Sequence, residues 1–200
     1  MRKAIQHLKK ADPVIAMIIE QVAPYRMAHR EPTFETLVRS IVFQQLSGKA
    51  AATIFGRLAA AAGDPVSPEA ILRLTPDEMR TLGLSRQKTA YVRDLAERTS
   101  RGEIDFLALD EMPDDEVIKT LTAVKGVGVW TVHMFLMFAL KRPNVLPTGD
   151  LGVQHAIRRL YKMRQMPKAA DIEKRAKKWH PYCSVATWYL WRSLEGQADI

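Results

Sequence analysis

The chain has 200 residues, 47% of them hydrophobic, which is enough to bury a core in one domain or in two lobes. Thirty lysines and arginines against 22 acidic residues give a net charge of +8, which favours a polyanionic partner. Charge alone does not distinguish such a protein from a basic one without that partner. Because Cys183 is the single cysteine, an intramolecular disulfide, a cysteine-rich zinc site and a four-cysteine iron–sulfur cluster are excluded.

The first residues carry positive charge but no apolar stretch follows them, so we expect no secretory signal in this segment. The longest apolar run nearby, Val14 to Ile19, is too short to span a bilayer. We therefore expect an intracellular, reducing location, cytoplasmic or nucleoid-associated, and no membrane partner.

Apolar residues recur at helical spacing along the chain, first in the stretch from Phe34 to Gln45. The same spacing continues at Ile54, Leu58, Ala61, Tyr91, Leu95, Val117, Leu121, Trp130, Met134, Met137 and Phe138. Breaks fall at Pro32-Thr33, Ser47-Gly48, Asp64-Pro65, Gly83, Met112-Pro113, Pro143-Asn144 and Pro181. Since no stretch shows convincing strand alternation, we predict an all-α protein of roughly ten helices.

A hairpin is predicted at about 121–131, where one helix enters at Leu121 and another leaves from about Val127. Between them, Gly126 and Gly128 allow a tight turn that exposes backbone N–H groups. A helix N-terminus behind these amides suits a phosphate, and Lys125 adds positive charge. Taken alone, two such glycines serve equally well as helix caps.

Further along, Asp150 is predicted to begin a helix from Leu151 to Leu160. The helix N–H groups favour an ionised carboxylate at this position. An aspartate before a helix is, by itself, most simply an N-cap.

The hairpin followed by Pro-Thr-Gly-Asp-Leu-Gly at 147–152 resembles the helix-hairpin-helix DNA glycosylase superfamily. Residues 124–131, 34–52 (which contain 43–48) and 189–192 are similar to its 3-methyladenine DNA glycosylase II branch. The resemblance runs from about Ala11 to Gly196. It implies two helical lobes with a DNA-binding cleft between them. One lobe combines 1–32 and 136–200 and carries Asp150, and the other, 33–135, carries the hairpin.

The resemblance assigns catalysis to Asp150, beside the C1′ carbon of the nucleotide. There a carboxylate stabilises the oxocarbenium character of the sugar and orients or deprotonates the attacking water. In bifunctional members a lysine two residues after the last hairpin glycine attacks C1′. Since Trp130 occupies that position, we expect hydrolysis without strand cleavage.

By the same resemblance, Trp130 and Trp191 match aromatic residues of the base pocket, and Trp188 is a further candidate. Each indole face attracts a cationic base by roughly 0.5–2 kcal/mol. Met134 stands where a pocket tyrosine can occur, which affects the expected range of substrates. The alternative for all three tryptophans is packing in the core.

The resemblance also implies that Gln45 is the DNA wedge that fills the gap left by the flipped base, with Gln44 as the neighbouring candidate. A solvent-facing position at the end of the helix is the alternative.

Contacts to the DNA backbone are expected from Lys125, Gly126, Val127, Gly128, Lys49, Arg86 and Lys88. The alternative for each lysine or arginine is a solvated position on the surface.

No cofactor is expected, although a monovalent cation can bind the backbone carbonyls of family hairpins. The five histidines show no metal-ligand spacing, so no structural metal is predicted. The sequence thus predicts a monomeric, monofunctional glycosylase of base excision repair that releases alkylated purines, such as 3-methyladenine or 7-methylguanine, from damaged duplex DNA. The alternatives are a glycosylase for a neutral deaminated or mismatched base and a non-enzymatic helix-hairpin-helix module.

Overall fold

The structure, a computed structural model, describes residues 1–195. Over that range the chain is helical and contains no strand, which confirms the predicted fold class. The helices are α1 Arg2–Ala11, α2 Pro13–Gln21, α3 Phe34–Phe43, α4 Gly48–Ala62, α5 Pro68–Arg73, α6 Pro76–Thr81, α7 Arg86–Ser100, a 3-10 helix Ala108–Asp110, α8 Asp114–Thr122, α9 Val129–Phe138, α10 Leu151–Leu160, α11 Ala169–Ala176 and α12 Cys183–Arg192.

Within residues 1–195 the chain forms two compact units, one combining Met1–His29 with 141–195 and the other spanning Arg30–Leu140. The predicted second lobe, 33–135, is shorter at both ends than this second unit. Within the predicted first lobe, 196–200 lie outside the described residues. The predicted cleft stays a prediction.

The second unit is assembled around α7. Helices α3, α5 and α6 pack on α7, while α8 packs against α9. Apolar side chains from these helices are fully buried, among them Leu37, Ile41, Leu95 and Leu121. Because α7 contacts three other helices, it supports both the end of α3 and the turn that precedes α9.

The first unit packs α1, α2, α10 and α12 together around a buried carboxylate. Asp12 is 0% exposed and caps α2 by accepting a hydrogen bond from the Val14 amide at 3.0 Å. It also accepts hydrogen bonds from the Tyr161 hydroxyl at 2.5 Å and the Trp179 indole at 2.8 Å, and Lys178 Nζ lies 3.2 Å away. Burial raises the pKa of Asp12, but these hydrogen bonds outweigh it and hold the pKa below its usual value.

Replacing Asp12 by asparagine should lower the free energy of unfolding by about 2 kcal/mol at neutral pH, because buried donors lose a charged acceptor. The folded-state pKa lies below 3.8, so the carboxylate stabilises the fold above that value. This contribution is lost as the pH falls through the folded pKa. Denaturant titrations from neutral pH down to about pH 3 should show the two proteins converging. A constant difference in stability would contradict this role of Asp12.

Candidate functional site

Asp150 is the N-cap of α10, and the predicted helix from Leu151 to Leu160 is confirmed. Its Oδ1 atom accepts hydrogen bonds from the Val153 amide and from the Trp191 indole Nε1, each at 2.8 Å. The residue is 8% exposed. One donor from its own helix and one from α12 therefore hold the carboxylate in a single orientation.

Gly152 makes room for this pair. A Cβ atom on Gly152 would lie 3.0 Å from Trp191 Cδ1 and 3.1 Å from Asp150 Oδ1. A larger residue there would require the indole or the carboxylate to shift by a few tenths of an ångström. Sequence reasoning expected Trp191 to face a base, and it missed both the hydrogen bond to Asp150 and the role of Gly152. A glycine in the first turn of a helix was the available signal.

Trp188 lies in the interior of the first unit. It is 5% exposed, and its ring centroid lies 4.9 Å from those of Tyr25 and Tyr189. The Arg192 guanidinium lies 5.1 Å from the same centroid. This packing argues against the prediction that Trp188 lines a base pocket, because the buried ring has almost no surface left for a base.

The hairpin differs from its prediction in where the second helix begins. Helix α9 starts at Val129, two residues after the expected Val127. The Val127 side chain is 4% exposed, and its amide closes the turn by donating to the Val124 carbonyl at 3.1 Å. Of the two glycines, only Gly126 has a left-handed backbone, with φ +75°, whereas Gly128 caps α9 with φ −92°.

The hairpin turn is anchored on α7. A Cβ atom on Gly126 would lie 2.1 Å from Cδ2 of Tyr91, so the tyrosine ring lies directly against the turn. The Lys125 amide donates to Oδ2 of the buried Asp94 at 2.9 Å, and Arg98 Nε donates to the same oxygen at 3.1 Å. These contacts fix the turn to the helix beneath it.

Fewer backbone amides of the hairpin turn are therefore available to bind a phosphate than the sequence predicts. The amides of Lys125 and Val127 are used inside the protein. Within residues 1–195, those of Gly126 and Gly128 donate no hydrogen bond. Both precede the N-terminus of α9, where backbone donors and the helix dipole favour an anion.

The end of α3 also differs from the prediction, because the helix stops at Phe43 and not at Gln45. Lys88 Nζ donates to the carbonyls of Val42 and Gln44 at 2.6 and 2.7 Å and so satisfies the last turn of the helix. Burial lowers the pKa of Lys88. The ammonium group of Lys88 thus binds protein carbonyls, and its predicted contact with the DNA backbone stays a prediction.

The two glutamines after α3 have different surroundings. Gln44 Nε2 donates to the Gly126 carbonyl at 3.0 Å, which ties the end of α3 to the hairpin turn. Gln45 is exposed and has a left-handed backbone, with φ +55°. Next to it, Leu46 is 40% exposed, a feature that sequence reasoning missed. Gln45 thus has the surface position expected of a wedge, whereas the Gln44 side chain holds the end of α3 against the hairpin turn.

A cavity of about 680 Å³ opens in the second unit beside the hairpin, lined by Trp130 and Met134 from α9 and by Gln44. Trp130 is 47% exposed. Arg39 also lines this cavity, with its guanidinium carbon 4.0 Å from the Phe43 ring centroid. Burial and the nearby Arg30 lower the pKa of Arg39. Sequence reasoning missed Arg39, although an arginine four residues before an aromatic residue on one helix is a recognisable pair.

The two remaining predicted cations, Lys49 and Arg86, are exposed in the first turns of α4 and α7. No three His, Cys, Asp or Glu side chains are grouped to hold a metal ion anywhere in residues 1–195. In the part of the chain that the structure describes, no helix is both long and apolar enough to cross a membrane.

Comparison with known proteins identifies the family of the chain. Residues 38–181 match the model of the HhH-GPD superfamily of base excision DNA repair proteins. The chain is 33% identical to DNA-3-methyladenine glycosylase 1 of Schizosaccharomyces pombe, over 96% of this chain and 87% of that protein. The chain therefore belongs to the HhH-GPD superfamily.

Two solved structures share the fold. A DNA-3-methyladenine glycosidase from Bacillus halodurans has a TM-score of 0.88 and 35% identity, covering 96% of this chain and 89% of its own. A 3-methyladenine DNA glycosylase of Schizosaccharomyces pombe, solved in complex with abasic DNA, has a TM-score of 0.85 and 32% identity and covers 99% of both chains.

Proposed function

We propose that this protein is a monofunctional DNA glycosylase that flips an alkylated purine out of duplex DNA and hydrolyses its N-glycosidic bond. The observation that carries the proposal is the carboxylate of Asp150, oriented by the Val153 amide and the Trp191 indole. Relatives at 32–35% identity are named as 3-methyladenine DNA glycosylases or as a DNA-3-methyladenine glycosidase. These names support alkylated purines as the substrate class.

In the proposed reaction, the C1′–N bond breaks and its electron pair leaves with the base. Positive charge then develops on the sugar, where the Asp150 carboxylate stabilises it. Water adds to C1′ and gives a proton to Asp150. A cationic alkylated purine is already a good leaving group, so this route needs no strong general acid. Because Trp130 takes the place of the lysine nucleophile, the DNA strand stays intact until alkali cleaves it.

The same proposal assigns DNA contacts to the second unit. The Gly126 and Gly128 amides bind a backbone phosphate at the N-terminus of α9, with Lys125, Lys49 and Arg86 adding charge, whereas Val127 contributes only to the turn. Exposed Gln45 enters the duplex as the wedge, and Trp130 stacks on the flipped base.

Arg39 favours a second candidate within the same class of enzyme, a glycosylase for a neutral purine. Its guanidinium lines the cavity beside Trp130 and makes no ion pair within residues 1–195. A fixed positive charge opposes a cationic base, whereas its N–H donors suit a carbonyl oxygen such as that of deaminated adenine. The two candidates differ in whether the base must be protonated before it leaves.

The experiment that tests the proposed function is a screen of base release from duplexes that each carry one defined lesion. Alkylated purines should be released and leave abasic sites that break only on heating in alkali. For a cationic lesion the rate should not rise at low pH, whereas release of a neutral purine should rise as the pH falls. Tight binding with no release of any lesion would contradict the proposal and favour a non-enzymatic DNA-binding module.

Replacing Trp191 by phenylalanine should slow base release by about 10- to 100-fold, because an aromatic ring remains but a hydrogen bond to a charged group is lost. The measurement is the single-turnover rate on a duplex with one alkylated purine. The loss should appear in the rate constant at saturating enzyme. A loss confined to affinity would instead show that Trp191 acts only as a wall of the base pocket.

Gly152→Ala tests the same pair without changing either member. In a helix, alanine is favoured over glycine by roughly 0.5–1 kcal/mol, so propensity alone predicts a more stable α10. The added Cβ atom would nevertheless meet Trp191 and Asp150. We expect slower base release despite unchanged or higher helix stability, and a fully active Gly152→Ala protein would contradict the importance of the Trp191–Asp150 contact.

A further inference from the structure

Helix α10 carries a second feature beyond Asp150 at its start, which is a row of exposed side chains along one face. The row begins at Leu151, which is 67% exposed, and continues through His155, Arg158 and Lys162. Steps of four and three residues place Leu151, His155 and Arg158 on one side of the helix, and Lys162 follows two residues after the helix ends at Leu160. The face is apolar next to Asp150 and becomes basic toward the C-terminal end.

The basic end of this face forms a groove of about 620 Å³, here called the α10 groove, lined by His155, Arg158, Arg159, Lys162 and Arg164. Its lining contains no carboxylate. In the described part of the chain, none of these five basic side chains forms a salt bridge. Arg158 and Arg159 lie in the last turn of α10 and Lys162 lies two residues beyond its end, so several positive charges are gathered in one groove. The helix dipole favours cations in the last turn of α10. Arg164 lies beyond that turn, so the dipole does not account for its positive charge.

Lys162 lies in an unusual backbone conformation. Its φ of +52° is in the left-handed region, which favours glycine. The turn that ends α10 is closed by hydrogen bonds from Lys162 to the Arg159 carbonyl at 3.2 Å and from Met163 to the Arg158 carbonyl at 2.8 Å. Glycine would fit this turn with less strain. Lys162 thus adds a positive charge to the groove at a position where glycine would suit the backbone.

We propose that the α10 groove binds backbone phosphates of the duplex that flanks the lesion. This inference rests on the proposed function, because it takes Asp150 to lie at the lesion. Ten helical residues span about 15 Å, which corresponds to about four or five base pairs of duplex. Duplex phosphates fit better than an acidic peptide, since the ligand proposed for one end of α10 is already DNA and extends to the other.

The test is Lys162→Gly, with Lys141→Gly as the matched control. Both lysines are exposed and have a left-handed backbone, with φ +52° and +57°, but Lys141 does not line the groove. The probe is a fluorescent duplex carrying a stable abasic analogue, titrated at several salt concentrations. For Lys162→Gly we expect weaker binding and a salt slope smaller by about 0.9, the value for one lost phosphate contact. Lys141→Gly should keep the wild-type affinity and slope.

Thermal unfolding separates binding from folding, because glycine at either position should leave Tm unchanged or higher. Lys162→Asn provides a second variant whose residue also tolerates the left-handed region. Equal effects of the two glycine variants on DNA affinity, or no effect of either, would overturn the proposal. Unchanged DNA binding would favour an acidic protein as the partner of the groove.

A double variant, Arg158→Gln with Arg159→Gln, extends the test to the length of DNA. Wild-type affinity should fall when one flank of the duplex is cut to about two base pairs, because that flank no longer reaches along α10. The double variant should be insensitive to this truncation. If both proteins respond equally to it, the groove does not bind the flank. Failure of wild type to release any base would overturn the proposed function alone, since the affinity measurements do not depend on catalysis.

Discussion

Asp150→Asn should reduce the single-turnover rate of base release by about 1,000-fold, because the sugar loses the anion that stabilises its developing charge. Asparagine has nearly the same shape, and its side-chain oxygen can accept the hydrogen bonds that Val153 and Trp191 donate. It is also a good N-cap, so α10 should form as before. The measurement is alkali-revealed cleavage of a duplex containing one alkylated purine.

Two controls make the Asp150→Asn result interpretable. The variant should unfold near the wild-type temperature. It should also bind a duplex with a neutral abasic analogue with similar affinity, since the contacts proposed for the DNA backbone lie at other residues. If base release stays within about tenfold of wild type, a loss too small for removal of a catalytic group, then Asp150 is only a helix cap.

Gly126→Ala should lower the free energy of unfolding by about 3 kcal/mol, the sum of an unfavourable backbone conformation and overpacking. The φ of +75° disfavours alanine, and the new Cβ atom would lie 2.1 Å from Cδ2 of Tyr91. DNA affinity should fall as well, because the turn that presents the Gly126 and Gly128 amides is displaced. Denaturant unfolding and anisotropy on an abasic duplex measure the two effects.

Gly128→Ala is the matched control for Gly126→Ala. Gly128 has a negative φ, and a Cβ atom there meets no atom within 4 Å. Its stability should change by less than about 1 kcal/mol. Similar destabilisation by both substitutions would show that the close approach of Tyr91 to the turn does not set the requirement for glycine.

The sequence predicted the features of this fold that depend on local signals. Helical periodicity and an aspartate in the N-cap position were sufficient to place α10 from Leu151 to Leu160. Two glycines between helices predicted the hairpin but not its register. The start of α9 depends on Val127, whose side chain is buried against the rest of the unit.

Long-range contacts explain most of what could not be predicted. Lys88 looks like a surface cation in the sequence, yet it binds carbonyls 44 and 46 residues away. Trp188 and Trp191 lie three residues apart on α12, but one ring is buried against Tyr25 and the other donates to Asp150. Spacing along a helix places two residues near one face and does not say which neighbours they meet.

The proposed site combines both kinds of information. The resemblance to a known family implies the role of Asp150, whereas only the structure brings Trp191 and Gly152 to its carboxylate. Arg39 is the residue that most affects the expected substrate, because its charge lies in the cavity beside Trp130. No local pattern distinguishes such an arginine from one that merely covers an aromatic ring.

The most direct measurement compares the affinity of wild type and Asp150→Asn for two abasic analogues placed in the same duplex. One analogue has a neutral tetrahydrofuran ring, and the other has a pyrrolidine ring that carries a positive charge near the C1′ position. If the carboxylate stabilises a cationic sugar, wild type should prefer the charged ring by about 100-fold, and the variant should lose that preference. Equal preference in both proteins would contradict the account, because it would mean that Asp150 does not interact with the sugar when charge develops there.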